Sequence, residues 1–327
     1  MEYTRREFAK LALTAAPALG LTAQPVVGAE LFQARPNSLI NGVQIGAITY
    51  SFRSMRDQSA EATLQYVLDA GISAIELMGD PAEAFAGRPA SGRGGGRGGQ
   101  LTPEQQAEQR AAQQAAQAAL KAWRLSVSMD KYKALRTMYN DAGVSIYAVK
   151  ILGPNMSDEE FEYVFNVADA LGCTHTTLEL PADETQLTRI GDFAMRRKIY
   201  AAYHTHLQGS MTAFDRAFAL SPGNMANVDL GHYVAAGSIG GTPIEFLEKH
   251  HARISSVHLK DRRSKANGGD NVLWGAGDTP IKEILQAMKT RRWRFPATIE
   301  LEYPVPEGST AVVETKKCVQ YCAEALA

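Results

Sequence analysis

A regular alternation constrains this chain more than any other feature. Eight short apolar runs, at 43–50, 72–77, 144–150, 174–180, 199–203, the run into Asp229, 254–257 and 297–299, are each followed by a helical or looser helix-like stretch. The punctuation supports the division. Gly71, Gly143 and Gly172 stop helical stretches, Ser157 with Glu160 opens one as a capping box, and Thr102 with Pro103 opens another. Strands that alternate with helices pair in parallel, and eight is the number that closes an α/β chain into a (β/α)8 TIM barrel. The other such architecture, an open doubly wound sheet, loses support in its dinucleotide-binding form, because no Gly-x-Gly-x-x-Gly follows the first run.

The C-terminal ends of these runs collect ionisable residues. Glu76 lies in the second run, Glu179 follows 176–178, and His204 and His206 follow 199–203. Asp229 has His232 three residues on, His258 is followed by Lys260 and Asp261, and Glu300 and Glu302 follow 297–299. In a barrel these ends form the active-site face. So many carboxylates around one cavity would raise one another's pKa, and a divalent cation removes that cost. Mixed carboxylate and imidazole donors suit Mn, Co, Zn or Fe(II) rather than calcium or a thiolate zinc site. His175, His250 and His251 stand off the strand tips and read as surface or internally satisfied positions.

The ends of the chain and one insertion fall outside the alternation. Residues 1–29 read as a twin-arginine export signal: Arg5 and Arg6 precede Phe8, an apolar stretch from Leu11 to Leu21 follows, and cleavage is expected after Ala29. Pro17 and Gly20 interrupt that apolar part, which is too short for a membrane span of roughly 20 residues, so no stable membrane anchor is expected and the mature protein is placed in the periplasm. Residues 30–42 read as an extended leader and 43–327 as one barrel. A Gly-Arg stretch at about 86–100 has little apolar content to offset its ordering entropy, and reads either as a lid carrying Arg88, Arg93 and Arg97 or as a passive surface insertion. A formal net charge of -1 argues against a nucleic-acid partner. Cys173, Cys318 and Cys322 make no disulfide framework, and the last two share a face of the final helix as packing residues.

Five motifs, one per strand and in order, carry a resemblance: Glu179, His204-x-His206, Asp229-x-x-His232, His258-x-Lys260-Asp261 and Glu300-x-Glu302. Over roughly residues 43 to 326 the chain resembles the xylose isomerase-like barrel superfamily, in its sugar phosphate isomerase/epimerase branch, which includes inosose dehydratase and the ketohexose 3-epimerases and is related to endonuclease IV. The resemblance implies one divalent metal held by Glu179, Asp229, His258 and Glu300, with Glu302, on the same strand face, as the alternative last ligand; Mg is admitted beside the metals above. It implies Glu179, Glu300, His232 and Lys260 as catalytic groups, and His204, His206, Glu76, Asp261 and Glu302 as substrate contacts, Asp261 being open also to an outer hydrogen-bonding role. The implied chemistry is proton transfer next to a sugar carbonyl through an enediolate, giving isomerisation or epimerisation of a small sugar or glycoside. The alternative is a lyase or dehydratase acting on keto-sugars or 3-keto-glycosides, and a non-catalytic sugar-binding barrel stands behind both. A homo-oligomer is compatible with the sequence. A nuclease would need more histidines and a basic groove.

Overall fold

The computed structural model describes residues 35–89 and 102–327. The expected export signal, residues 30–34 of the expected leader, and the Gly-Arg stretch from residue 90 on, with Arg93 and Arg97, lie outside the described residues. Among the described residues there are nine strands: β1 (Leu39–Ile40), β2 (Val43–Ile48), β3 (Ala74–Met78), β4 (Ser145–Lys150), β5 (His175–Glu179), β6 (Tyr200–His204), β7 (Asn224–Asp229), β8 (Ile254–Leu259) and β9 (Ala297–Ile299). Strands β2 to β9 pair in parallel in chain order, and β9 returns to β2 with Ile45 opposite Ala297 and Ala47 opposite Ile299. The eight-stranded sheet is therefore closed, with helices in the connections: a (β/α)8 barrel.

β1 belongs to the fold rather than to a leader. It pairs antiparallel with β2 through a two-residue turn at Asn41 and Gly42, both at positive φ, which suits the right-handed twist of a hairpin. Asn41 also donates to the Leu326 carbonyl at 2.7 Å, tying this hairpin to the last helix.

Alternate residues of a strand share one face, and here the inward face is polar in columns. His175 and Thr177 on β5, Asn227 and Asp229 on β7, Ser256 and His258 on β8, and Thr298 leading to Glu300 after β9 all meet inside. His175 Nε2 lies 3.0 Å from Ser256 Oγ, Ser256 donates to Asn227 Oδ1 at 2.9 Å, and Thr177 donates to Glu76 at 2.6 Å. Below them Tyr147 crosses the barrel to Thr298, 2.8 Å away, in space that only Gly46 leaves free: a Cβ there would stand 2.7 Å from the tyrosine oxygen. The apolar core lies between strands and helices, where Val43, Leu77, Phe165, Leu247 and Ile284 are buried. Cys318 and Cys322 are buried in it as free thiols.

The caps follow the sequence. Thr102, Ser157 and Thr242 each close a capping box, ahead of helices Pro103–Arg124, Asp158–Leu171 and Pro243–His250. The first of these buries no residue, and its last turn is fastened by Arg124, which reaches Glu83 at 2.9 Å and Glu160 at 3.2 Å. Glu83 also takes Arg88 at 3.2 Å and the Tyr163 hydroxyl at 3.0 Å. Among the described residues no helix is long and apolar enough to cross a membrane.

Candidate active site

Four side chains from four consecutive strand ends converge: His204 from β6, Asp229 from β7, His258 from β8 and Glu300 after β9. One donor atom from each lies within 4.8 Å of the others, and all four residues are buried. Two nitrogens and two carboxylate oxygens form a donor set that can hold a divalent transition metal. His204 Nδ1 is buried with no hydrogen-bond partner, and Asp229 Oδ2 has only an ion pair with the Lys260 ammonium, 3.0 Å away, so both atoms are open to an ion. The residues present therefore fit a metal.

Glu179, a ligand by the resemblance, is not in this group, and His204 supplies the fourth donor. The Glu179 side chain is 50% exposed and pairs with Lys150 at 2.8 Å and with His206 Nε2 at 3.0 Å, at the mouth of the barrel. His206 packs beside His232, ring centres 4.6 Å apart, so Glu179 sits one residue away from the central cluster.

Glu76 is also relocated. Its carboxylate has no exposed surface and lies within the barrel, 2.7 Å from His258 Nε2, with Thr177 on its other oxygen and Asn227 at 3.4 Å. In that position it supports His258: with Nε2 committed to Glu76, Nδ1 remains on the Glu300 side, 3.0 Å from its carboxylate. Asp261 resolves in the same sense. It accepts backbone N–H bonds from Gly275 at 2.7 Å, Gly277 at 3.0 Å and Thr279 at 3.2 Å, so it ties down the loop beside the site instead of facing the cavity.

Charges here are tightly compensated. Burial alone would lower the His258 pKa, but Glu76 and then Glu300 outweigh it and raise it to about 10. Burial would likewise raise Glu300, yet His258 and Lys260 hold it well below the usual carboxylate range. Asp229 goes the other way: burial, reinforced by Glu300 and opposed by Lys260, lifts it to about 7. Burial and the His258 charge push His204 well below an ordinary imidazole. His232 is driven down to about 2 by burial, Lys260 and Arg262, so it is neutral.

Three participants were not singled out in the sequence. Arg262 donates through Nη1 to His232 Nδ1 and through Nε to the Gly269 carbonyl at 2.9 Å. An arginine cannot accept, so Nδ1 accepts here and the His232 proton is assigned to Nε2, which faces the Lys260 ammonium at 3.0 Å. Lys150 stands at the tip of β4, and the strand-end rule that found Glu179 would have found it. Asn227 is two residues before Asp229 on the same inward face, a position that strand periodicity exposes once the strand is placed.

No family model matches the sequence, and no curated protein does. Solved structures do match. A sugar phosphate isomerase/epimerase from Parabacteroides distasonis superposes with a TM-score of 0.58 at 16% identity, over 86% of this chain and 94% of that one. A xylose isomerase domain protein from Alicyclobacillus acidocaldarius gives 0.59 at 14%, over 87% and 99%. A protein described as the probable 3-DHS dehydratase AsbF, involved in petrobactin synthesis, from Bacillus anthracis gives 0.57 at 15%, over 85% and 98%. The structural neighbours are thus xylose isomerase-like and sugar phosphate isomerase/epimerase barrels. Identity at this level establishes the shared fold, and within that fold this chain presents a buried His/Asp/Glu group able to hold a metal.

Proposed function

We propose that this protein is a divalent-metal-dependent sugar isomerase or epimerase that moves a proton next to a carbonyl. The observation that carries the reading is the buried four-donor group, in which His204 Nδ1 has no hydrogen-bond partner, flanked by a charged lysine and a neutral histidine. His204, Asp229, His258 and Glu300 would hold one ion of Mn, Co, Zn or Fe(II), with Mg admitted. When bound, such an ion supplies Lewis-acid polarisation of a carbonyl and its neighbouring hydroxyl. The remaining work falls to the chain. His232 presents Nε2–H to a substrate oxygen as a neutral donor whose tautomer Arg262 fixes. Lys260 brings a positive charge beside the oxygen on which negative charge develops. Glu179, exposed at the mouth and hydrogen-bonded to Lys150, is placed to take or return the carbon-bound proton, whereas Glu300 is tied to His258 and Lys260 and is the weaker base. The twin-arginine segment supports action on free sugars or glycosides outside the cytoplasm.

The test is exchange in deuterated water with chelated and metal-loaded protein and a panel of ketoses and 3-keto-glycosides. An isomerase or epimerase returns deuterium-labelled or internally transferred sugar with no fragment lost, and Glu179→Gln slows it on the order of 10²- to 10⁴-fold. Release of water or an aglycone with an unsaturated keto-sugar would establish the lyase alternative. No C–H exchange and no elimination across the panel would leave the sugar-binding reading ahead.

A further inference from the structure

Lys260 occupies the centre of the donor group. Its side chain is 2% exposed, and its ammonium lies 3.0 Å from Asp229 Oδ2, 2.8 Å from Glu300 Oε2 and 2.6 Å from Glu302 Oε2. The first two of those residues are metal donors, and Glu302 is not. The lysine path is built into the chain. Gly231 packs against the Lys260 stem, and a Cβ there would meet its Cγ and stand 2.7 Å from its carbonyl oxygen, so any side chain at 231 would evict it. We propose that Lys260 is a resident counter-ion: it holds Asp229 and Glu300 together while no metal is bound, and passes both to the incoming ion while keeping Glu302.

This rests on the metal reading above and adds to it. Buried acids that converge without a cation repel one another, and the ammonium lies within 3.0 Å of both Asp229 and Glu300. Its contact with Asp229 Oδ2, at 3.0 Å, is the longest of the three, so that contact is the readily exchanged one. A fourth neighbour makes the central position a temporary one. His232 Nε2 is 3.0 Å away and, with Nδ1 accepting from Arg262, carries a proton, so two donors face each other. A divalent ion bound at Asp229 Oδ2 and Glu300 Oε2 would repel an ammonium left beside the same two oxygens. Glu302, 21% exposed at the outer edge, offers the ammonium its shortest contact and a place to remain. Metal binding would then also set the lysine at the substrate side of the cavity.

The test uses chelator-stripped protein, with Mn as the probe, and reads titration calorimetry and thermal unfolding rather than activity. In Lys260→Met, metal-free Tm should fall, Mn affinity should rise about tenfold or more, and the Tm gain on adding Mn should exceed that of wild type. In Glu302→Gln, where the displaced ammonium loses its partner, Mn affinity should fall about tenfold. Equal Mn affinity in wild type and Lys260→Met, or weaker affinity in Lys260→Met, would overturn the exchange while leaving the metal site standing. Binding in none of the three proteins would overturn the metal reading itself. If Lys260→Met does not fold, Glu302→Gln decides: unchanged or tighter Mn binding there overturns the proposal.

Discussion

Replacing Glu76 with glutamine separates support of a ligand from contact with a substrate. The glutamine keeps the volume but has one accepting oxygen where Glu76 has two, so it can accept from Thr177, which donates to one Glu76 oxygen at 2.6 Å, or from His258 Nε2, 2.7 Å from the other, and it removes the negative charge. A neutral acceptor makes His258 a less basic ligand. Loss of such an outer partner typically weakens metal binding by about 10- to 100-fold, which corresponds to about 1.4 to 2.7 kcal/mol. In metal-free protein the same change takes one of two carboxylates from a buried imidazolium. Breaking a buried pair costs about 3 kcal/mol at the low end, and the glutamine recovers part of this because a carboxylate is no longer desolvated. Calorimetric titration of chelator-stripped protein with Mn, alongside thermal unfolding with and without the ion, reads both effects. Weakened Mn binding with little change in KM at saturating metal is the expected result. Unchanged Mn affinity with a raised KM would refute the assignment and return Glu76 to the substrate.

Two further outcomes are expected. Because the folded His258 pKa is raised to about 10 from 6.5, its stabilising contribution is complete below about pH 6.5 and is lost as pH rises toward 10. Metal-free protein should therefore lose stability between pH 7 and 10, at up to about 1.4 kcal/mol per pH unit; His258→Asn should flatten that limb, and an unchanged slope would count against the imidazolium. Below that window the raised Asp229 carboxyl and the lowered His204 and His232 imidazoles pull in opposite directions. For export, Arg5→Lys with Arg6→Lys should retain the protein in the cytoplasm by fractionation, and unchanged periplasmic recovery would remove the twin-arginine proposal.

The barrel was legible because its signals are local. Gly172 at positive φ and the Ser157 capping box end and begin a helix as the sequence says, and β5 to β9 overlap the apolar runs, β6 and β8 extending past them by one and two residues. The β1 hairpin was carried by Asn41-Gly42, a two-residue turn signal hidden inside what read as a leader. Strand tips identified which residues meet, but not their depth. Glu179 and His204 end adjacent strands in register, yet one side chain points out to Lys150 and His206 and the other into the donor group. Glu76 lies inside because its carboxylate finds His258, Thr177 and Asn227 there, and pairing across 182 positions leaves no local trace. Arg262 was missed for a related reason: its task is set by a histidine 30 positions earlier that it meets only in the closed barrel.

The seam between β2 and β9 carries a consequence for how the protein acquires its site during synthesis. Strand β2 begins at Val43 and its partner β9 ends at Ile299, so the sheet has two open edges until nearly the whole chain has left the ribosome. Glu300 follows that last strand directly. Contacts this distant in sequence form late, after the entropy of closing the longest loop has been met. A nascent chain can thus present His204, Asp229 and His258 while still lacking the carboxylate that completes the set. Metal capture would be coupled to barrel closure, and a chain truncated before residue 297 would expose a free β8 edge, a template for aggregation.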